Sequence, residues 1–314
     1  MCRPRIRPSA PSSLPGMNGL FSRMGKKRLR VAGNAFITDV VFLSLVSVLA
    51  FSQALHELES DLDPSDHDPA RKLVRSVIQN ELKEEEKDRS LFMYLDSVKQ
   101  PGGEKVGEVV ESNVVDLKLL IAKNGHPLPP AEHEQQIIRL QKMISNPAEL
   151  KKERRNQDED AAKARRMLKT IPETFLFKVE SVDGDLTTLS AFPDPSYRPS
   201  THEDAIFHAI GGTLTVNTRE KRLVELRGEL LKDVKFGFGI LADLQKGGRL
   251  LVQQSEVAPR IWRITELDVD IGGRELFFKT IGTHQDEHFT DFRRLPKSVP
   301  LQYAFDLLRD APNE

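Results

Sequence analysis

The sequence has a single cysteine, no serine-nucleophile motif and no apolar run long enough to span a membrane. Cys2 is the one cysteine among 314 residues. A lone thiol excludes an internal disulfide and a zinc site built from several cysteines. No serine lies within a G-x-S-x-G motif, so the signature of an α/β-hydrolase nucleophile is also missing. These absences favour a non-enzymatic protein.

The longest uncharged apolar stretch, from Val40 to Leu55, has the features of an export signal. A membrane-spanning helix requires roughly 20 apolar residues, and this stretch is shorter. A basic run at 26–30 precedes it, and the small-residue sequence Ser52-Gln53-Ala54 follows. This order is typical of a secretory signal peptide. The sequence predicts a periplasmic or secreted protein cleaved near Ala54; the alternative is a retained N-terminal membrane anchor.

Removal of this leader would make the chain acidic. Residues 1–54 hold eight of the 46 Lys and Arg and one of the 47 Asp and Glu. The remainder therefore carries 38 basic and 46 acidic residues and no thiol. An acidic surface repels the phosphate backbone, so nucleic-acid binding is disfavoured.

Composition divides the chain into three parts. Residues 1–54 form an N-terminal extension and signal peptide, and 55–68 form an acidic tether. Residues 69–312 form a single α+β domain with a helical insertion at 129–171.

Three segments of this domain predict helices. Pro69–Lys87 carries an approximate apolar stripe. Within the insertion, a second helix restarts where Asn146 can cap and Pro147 suits the first turn. A short closing helix is expected over Val299–Arg309.

Turn dipeptides predict antiparallel strand pairs. Two-residue hairpins favour residues that accept positive φ angles. Five such dipeptides separate strand-like runs: Gly102-Gly103, Asn124-Gly125, Asp183-Gly184, Gly247-Gly248 and Gly272-Gly273. Runs such as 224–230 alternate apolar with charged residues, as in a sheet with one buried face. We therefore predict an α+β fold with a curled antiparallel sheet of about eleven strands. This open half-barrel would have helices packed in or across its concave face.

Two motifs in the sequence bear on metal and cofactor chemistry. His284-Gln-Asp-Glu287-His288 matches H-x-x-E-H, in which two histidines on one helical turn bind zinc beside a glutamate. The preceding run reads as a strand, which would hold His284 and His288 roughly 13 Å apart at about 3.3 Å per residue. We therefore predict that the protein binds no metal, with a zinc site at His284, Glu287 and His288 as the weaker alternative. Gly237–Ala242 matches G-x-G-x-x-A without the βαβ unit of a dinucleotide site, so no cofactor is predicted.

The order of elements resembles the lipoprotein-carrier fold (LolA/LolB-like), an incomplete β-barrel plugged by helices. The stretches of sequence most similar to this family are Gly211–Asn217, Asp233–Leu241, Lys246–Gly248, Val257–Trp262 and Phe277–Ile281. The chain departs from the classical carrier in its charged stretch at 151–160. The resemblance implies a hydrophobic cavity and a location in the cell envelope.

The leading hypothesis is an exported, non-enzymatic envelope protein that binds an apolar ligand, an acyl chain or lipoprotein cargo, in the half-barrel cavity. Contact with the membrane would be peripheral or transient. The alternatives are a regulatory or scaffold module that binds an envelope protein, and a zinc peptidase. Eight residues are the cavity candidates: Phe236, Phe238, Trp262, Phe277, Phe278, Ile137, Leu140 and Ile144.

Overall fold

The computed structural model describes residues 68–236, 242–275 and 279–311. The leader at 1–54 and nearly all of the tether lie outside this part. The helices in the described part are α1 (Pro69–Lys87), α2 (Pro130–Ser145), α3 (Pro147–Thr174), α4 (His202–Phe207) and α5 (Leu301–Arg309). The first strands are β1 (Phe92–Gln100), β2 (Gly103–Val110), β3 (Leu117–Lys123), β4 (His126–Pro127), β5 (Phe175–Asp183) and β6 (Leu186–Pro193). The others are β7 (Ile210–Asn217), β8 (Arg222–Leu230), β9 (Val234–Phe236), β10 (Ala242–Leu244), β11 (Arg249–Ala258), β12 (Ile261–Glu275) and β13 (Lys279–Arg294).

The strands form one open antiparallel sheet. Eleven of them follow the order β4-β3-β2-β1-β13-β12-β11-β8-β7-β6-β5, while β10 pairs with the end of β12 and with β9. Within the described residues β4 and β5 are edges, so the sheet does not close. The predicted α+β class, with an open antiparallel sheet of about eleven strands and helices packed on it, is confirmed. The helices cover both faces of the sheet rather than a single concave face.

The helices α1 and α3 begin at side-chain caps, and the sequence predicted the second of these caps, Asn146. Asp68 immediately precedes α1, and its carboxylate accepts a hydrogen bond from the Ala70 amide at 2.8 Å. The Asn146 side chain accepts from the Ala148 amide at 3.0 Å at the start of α3. The closing helix α5 begins at Leu301 rather than at Val299 because Pro300 occupies the cap position.

Three of the five predicted hairpin turns are confirmed and two are wrong. Gly125 and Gly184 have φ angles of 76° and 57° and lie in the turns β3–β4 and β5–β6, while Gly103, with a φ angle of 113°, is the first residue of β2, directly after the turn at 101–102. Gly247-Gly248 joins β10 to β11, and both strands pair with β12 rather than with each other. Gly272-Gly273 continues β12, where the two residues pair with Gly282 and Ile281.

One face of the sheet lies under α1, and we call it the α1 face. Its residues in β7, β8, β11 and β12 include Leu214, Leu226, Val252 and Leu267, which follow each other in register across the strands. The buried residues Val74, Val77 and Ile78 of α1 pack on this face together with the C-terminal part of α3. This contact forms the first hydrophobic core.

Helices α2 and α5 cover the opposite face over β1–β3. Phe92, Met93 and Tyr94 are all buried, so consecutive residues of β1 serve cores on both faces. Met93 packs with Leu140 of α2 and Phe305 of α5 in the second core. No helix in the described part of the chain is both long and apolar enough to cross a membrane.

Helix α3 joins the two cores. Near its start, Leu150 packs against the second core. At mid-helix, the Gln157 side chain accepts a hydrogen bond from the Asp116 amide at 3.0 Å and donates one to the Asp116 carbonyl at 3.1 Å. Near its end, Ile171 is buried in the first core.

A close approach of β7 and β8 requires glycine at position 212. A Cβ atom on Gly212 would collide with the carbonyl oxygen of Arg227. We predict that Gly212→Ala lowers the free energy of unfolding by ~1–3 kcal/mol, the usual cost of overpacking, as measured by urea denaturation. Gly102→Ala is the control because its Cβ would meet nothing within 4 Å. Equal stability of the two variants would contradict the close approach.

Candidate functional site

A cavity of about 430 Å³ lies between the helices α1 and α3 and the strands β8, β11 and β12. Strand alternation supplies its floor: Leu250 and Val252 of β11 line it, while Leu251 between them lies on the opposite face. Leu226 of β8 and Ile264 of β12 extend the floor. The sheet therefore contributes a mostly aliphatic surface.

Helix α3 forms one apolar wall of the cavity. Ala164, Leu168 and Ile171 follow each other at spacings of four and three residues, so they lie on one side of the helix. Met167 lies beside them. Polar residues fill the earlier part of α3, and its apolar side resumes where it reaches the cavity.

Helix α1 is held over the cavity by a buried ion pair. The Arg222 Nε donates to Glu81 Oε1 at 3.0 Å, and Arg222 Nη2 lies 2.8 Å from Glu81 Oε2. The Leu223 amide donates to Glu81 Oε1 at 2.6 Å. Burial raises the pKa of Glu81, and the Arg222 guanidinium opposes that shift. The carboxylate thus receives two donors from the guanidinium and one from the backbone of β8.

The other charges of α1 at the cavity rim are also paired. Glu84 lies 2.8 Å from Lys87, and Glu85 contacts Arg165 of α3. Asp88 lies 2.6 Å from Arg263 of β12. Burial alone would raise the pKa of Asp88, but the Arg263 guanidinium and the hydrogen bond from Ser90 outweigh burial, so the pKa is lowered. These acidic residues at the rim are therefore neutralised by neighbouring cations and do not form a negatively charged surface.

Among the sequence-predicted cavity residues whose side chains the structure describes, Trp262 lies in the lining. Its indole Nε1 donates to Glu220 at 3.1 Å, and the Arg222 guanidinium lies 5.8 Å from the ring centroid. The indole thus has a polar side toward the rim and an apolar ring in the cavity.

Three other predicted cavity residues lie elsewhere. Leu140 is buried in the second core, and Ile137 and Ile144 pack against it on the opposite face of the sheet. Phe236 is the last residue of β9. The predictions for Phe238, Phe277 and Phe278 fall outside the described residues.

The H-x-x-E-H motif lies in the strand β13. His284 and His288 are exposed on one face, whereas Glu287 is fully buried on the other. The three side chains therefore cannot bind one ion.

A different group on the face of the two histidines has metal-like spacing. Glu266, Asp286 and His288 offer ligand atoms within 4.8 Å of one another. His288 Nε2 lies 2.9 Å from Asp286 Oδ1, and this contact already accounts for the position of both side chains.

Glu287 belongs to a buried pair of carboxyl groups on the α1 face. Its neighbour is the carboxyl group of Asp96, which is 1% exposed. Two buried carboxyl groups so close together disfavour the charged form of one of them. Lys118 Nζ lies 2.8 Å from Asp96, and Gln285 donates to Glu287 at 3.2 Å. Burial and the neighbouring Asp96 raise the pKa of Glu287 to about 9. Because the pair is closed to solvent, we assign it a structural role.

Sequence reasoning missed both the cavity floor and the buried ion pair. Glu81 lies four residues after Val77 and three after Ile78, within the apolar stripe of α1. An acid in such a stripe indicates a buried partner, and this signal was available in the sequence. The partner Arg222 lies 141 residues away, and no local pattern connects the two.

Comparison of the chain with family models, curated proteins and solved structures finds no match.

The carboxyl pair predicts a pH dependence of stability. Folded Glu287 keeps its proton up to a pH of about 9, whereas the unfolded residue releases it near 4.5. Between these values the folded state binds more protons, so the free energy of unfolding falls as pH rises, by at most ~1.4 kcal/mol per unit. Glu287→Gln, which mimics the protonated carboxyl, is expected to flatten this slope in urea titrations. Glu229→Gln on an exposed position of β8 is the control. A slope unchanged by Glu287→Gln would contradict the raised pKa of Glu287.

Proposed function

We propose that this protein binds an apolar ligand, an acyl chain, in the cavity beneath α1, and that it does so without catalysing a reaction. The observation that carries this proposal is the aliphatic lining of a cavity of about 430 Å³. Ligand sites in proteins commonly enclose ~300–1,000 Å³ and are predominantly apolar.

The shape of the lining supports an extended chain as the ligand. Apolar residues continue along β11 and β12 from Ile261 beside the connecting turn, through Ile264 and Val252, to Leu250. Leu250 lies eight residues from Ala258, the partner of Ile261, which is roughly 26 Å at about 3.3 Å per residue. A long and narrow apolar surface suits a flexible acyl chain better than a compact ring.

The polar residues of the lining support binding rather than chemistry. The described lining contains no serine, cysteine, threonine, tyrosine or histidine. Its three most buried acids, Glu81, Glu85 and Asp88, are held by Arg222, Arg165 and Arg263. Nucleophilic and acid–base catalysis require a reactive group that can reach the substrate, and these carboxylates are engaged elsewhere.

The predicted leader and the resemblance to lipoprotein carriers extend the proposal to a location and a cargo. An export signal at 24–54 would deliver the protein to the periplasm or the exterior, where lipids and lipoproteins expose acyl chains. We therefore propose an envelope carrier or sensor of acylated molecules, with at most transient membrane contact.

A second candidate function is recognition of a protein partner through the edge strand β5. Among the described strands β5 pairs with β6 alone, so one side of its backbone is open. Val179 and Val182 on β5 are 46% and 67% exposed, and Leu186 next to them is 38% exposed. An open apolar edge is the surface to which an extended peptide adds as a further strand. Loss of a captured protein on Val182→Lys, with acyl binding unchanged, would favour this function.

A matched pair of variants tests acyl binding. Leu250→Trp places an indole in the cavity, whereas Leu251→Trp places it on the opposite face of β11. We expect Leu250→Trp to weaken binding of a fluorescent fatty acid about tenfold or more, a loss of ~1.4 kcal/mol, and Leu251→Trp to leave it unchanged. Lipid extraction of the purified protein, followed by mass spectrometry, identifies the bound chain. Absence of any acyl ligand in both assays would refute the proposal.

A further inference from the structure

Arg260 is the charged residue of the cavity lining that has no ion-pair partner. Each of the other charged side chains in the described lining has one: the pairs are Glu81–Arg222, Glu84–Lys87, Glu85–Arg165 and Asp88–Arg263. Arg260 makes no side-chain ion pair or hydrogen bond with any residue that the structure describes. The described lining therefore offers one positively charged side chain that no other described side chain engages.

The position of Arg260 places this charge at one end of the apolar surface. The residue lies in the turn between β11 and β12, next to Ile261 and Trp262, where the aliphatic row begins. Its side chain is exposed. A ligand lying along the row would have its tail toward Leu250 and its end group beside the guanidinium.

The turn itself does not call for an arginine. Arg260 has a φ angle of 62°, in the left-handed region where glycine or asparagine is better tolerated. The turn is stabilised through the backbone, because the Arg260 amide donates to Glu256 Oε1 at 2.5 Å. That hydrogen bond does not use the Arg260 side chain. The guanidinium thus remains available for another partner.

We infer that the ligand of this cavity is an anionic amphiphile whose carboxylate or phosphate headgroup binds Arg260 while its acyl chain fills the aliphatic row; this inference rests on the proposed acyl binding. A guanidinium matches the paired oxygens of either group through two parallel hydrogen bonds. Trp262 lies at the boundary between the aliphatic row and the charged rim, where the headgroup and the chain of an amphiphile meet. Charge complementarity at one end and apolar contact along the rest define the ligand class.

Three acyl probes separate the two parts of this inference. Palmitate and a monoacyl glycerol phosphate carry the two candidate headgroups, and hexadecanol carries an uncharged one on a similar chain. We expect both anions, or one of them, to bind about tenfold more tightly than hexadecanol, and Arg260→Gln to abolish that difference while hexadecanol binding stays the same. The anion with the larger loss identifies the headgroup. Arg249→Gln is the control, since Arg249 is an exposed arginine paired with Asp270 at 3.1 Å.

The outcomes distinguish failure of the inference from failure of the proposed function. Equal binding of all three probes, unaffected by Arg260→Gln, would overturn the anionic headgroup and leave acyl binding intact. Competition by inorganic phosphate as strong as that by the acyl phosphate would overturn the amphiphile. Binding of none of the three would overturn the acyl ligand itself. Thermal unfolding of each variant confirms that the fold is retained.

Discussion

The cavity depends on one buried ion pair, Glu81 of α1 with Arg222 of β8. Removing one partner of such a pair leaves an uncompensated charge in the core, at a cost of ~3–5 kcal/mol. The geometry here is bidentate and is completed by the Leu223 amide. The same guanidinium lies against Trp262. One contact therefore fixes the distance of the helix from the sheet and the position of the aromatic residue at the rim.

The chain uses two different solutions for burying a carboxyl group. Glu81 is balanced by a cation, whereas burial and the neighbouring Asp96 raise the pKa of Glu287 to about 9, which favours its protonated form. Lys118 compensates the remaining charge of the carboxyl pair. Both sites lie on the same face of the sheet and are buried. The way each carboxyl group is compensated therefore depends on which side chains the strand register places beside it, and not on burial alone.

The sequence predicted what local rules control. Capping at Asn146 and positive φ angles at Gly103 and Gly184 defined a helix start and two hairpins, because each depends on a few adjacent residues. Gly272-Gly273 misled because glycine pairs also occur inside strands. The cavity residues were harder to predict. Aromatic content selected Trp262, which lies in the lining, but the floor is made of Leu250 and Val252, whose neighbours come from distant strands. Ile137 belongs to the apolar stripe of α2, and such a stripe does not reveal which face of the sheet the helix covers.

Helix α3 has a mechanical consequence for the whole domain. Its 28 residues extend roughly 42 Å at about 1.5 Å per residue. One end is anchored through Leu150 beneath β1–β3, the middle is tied to Asp116, and Ile171 at the other end is buried under α1. A rod fastened at both ends prevents the two halves of an open sheet from flexing independently. Helix α3 thereby couples the two ends of the wide, unclosed sheet mechanically.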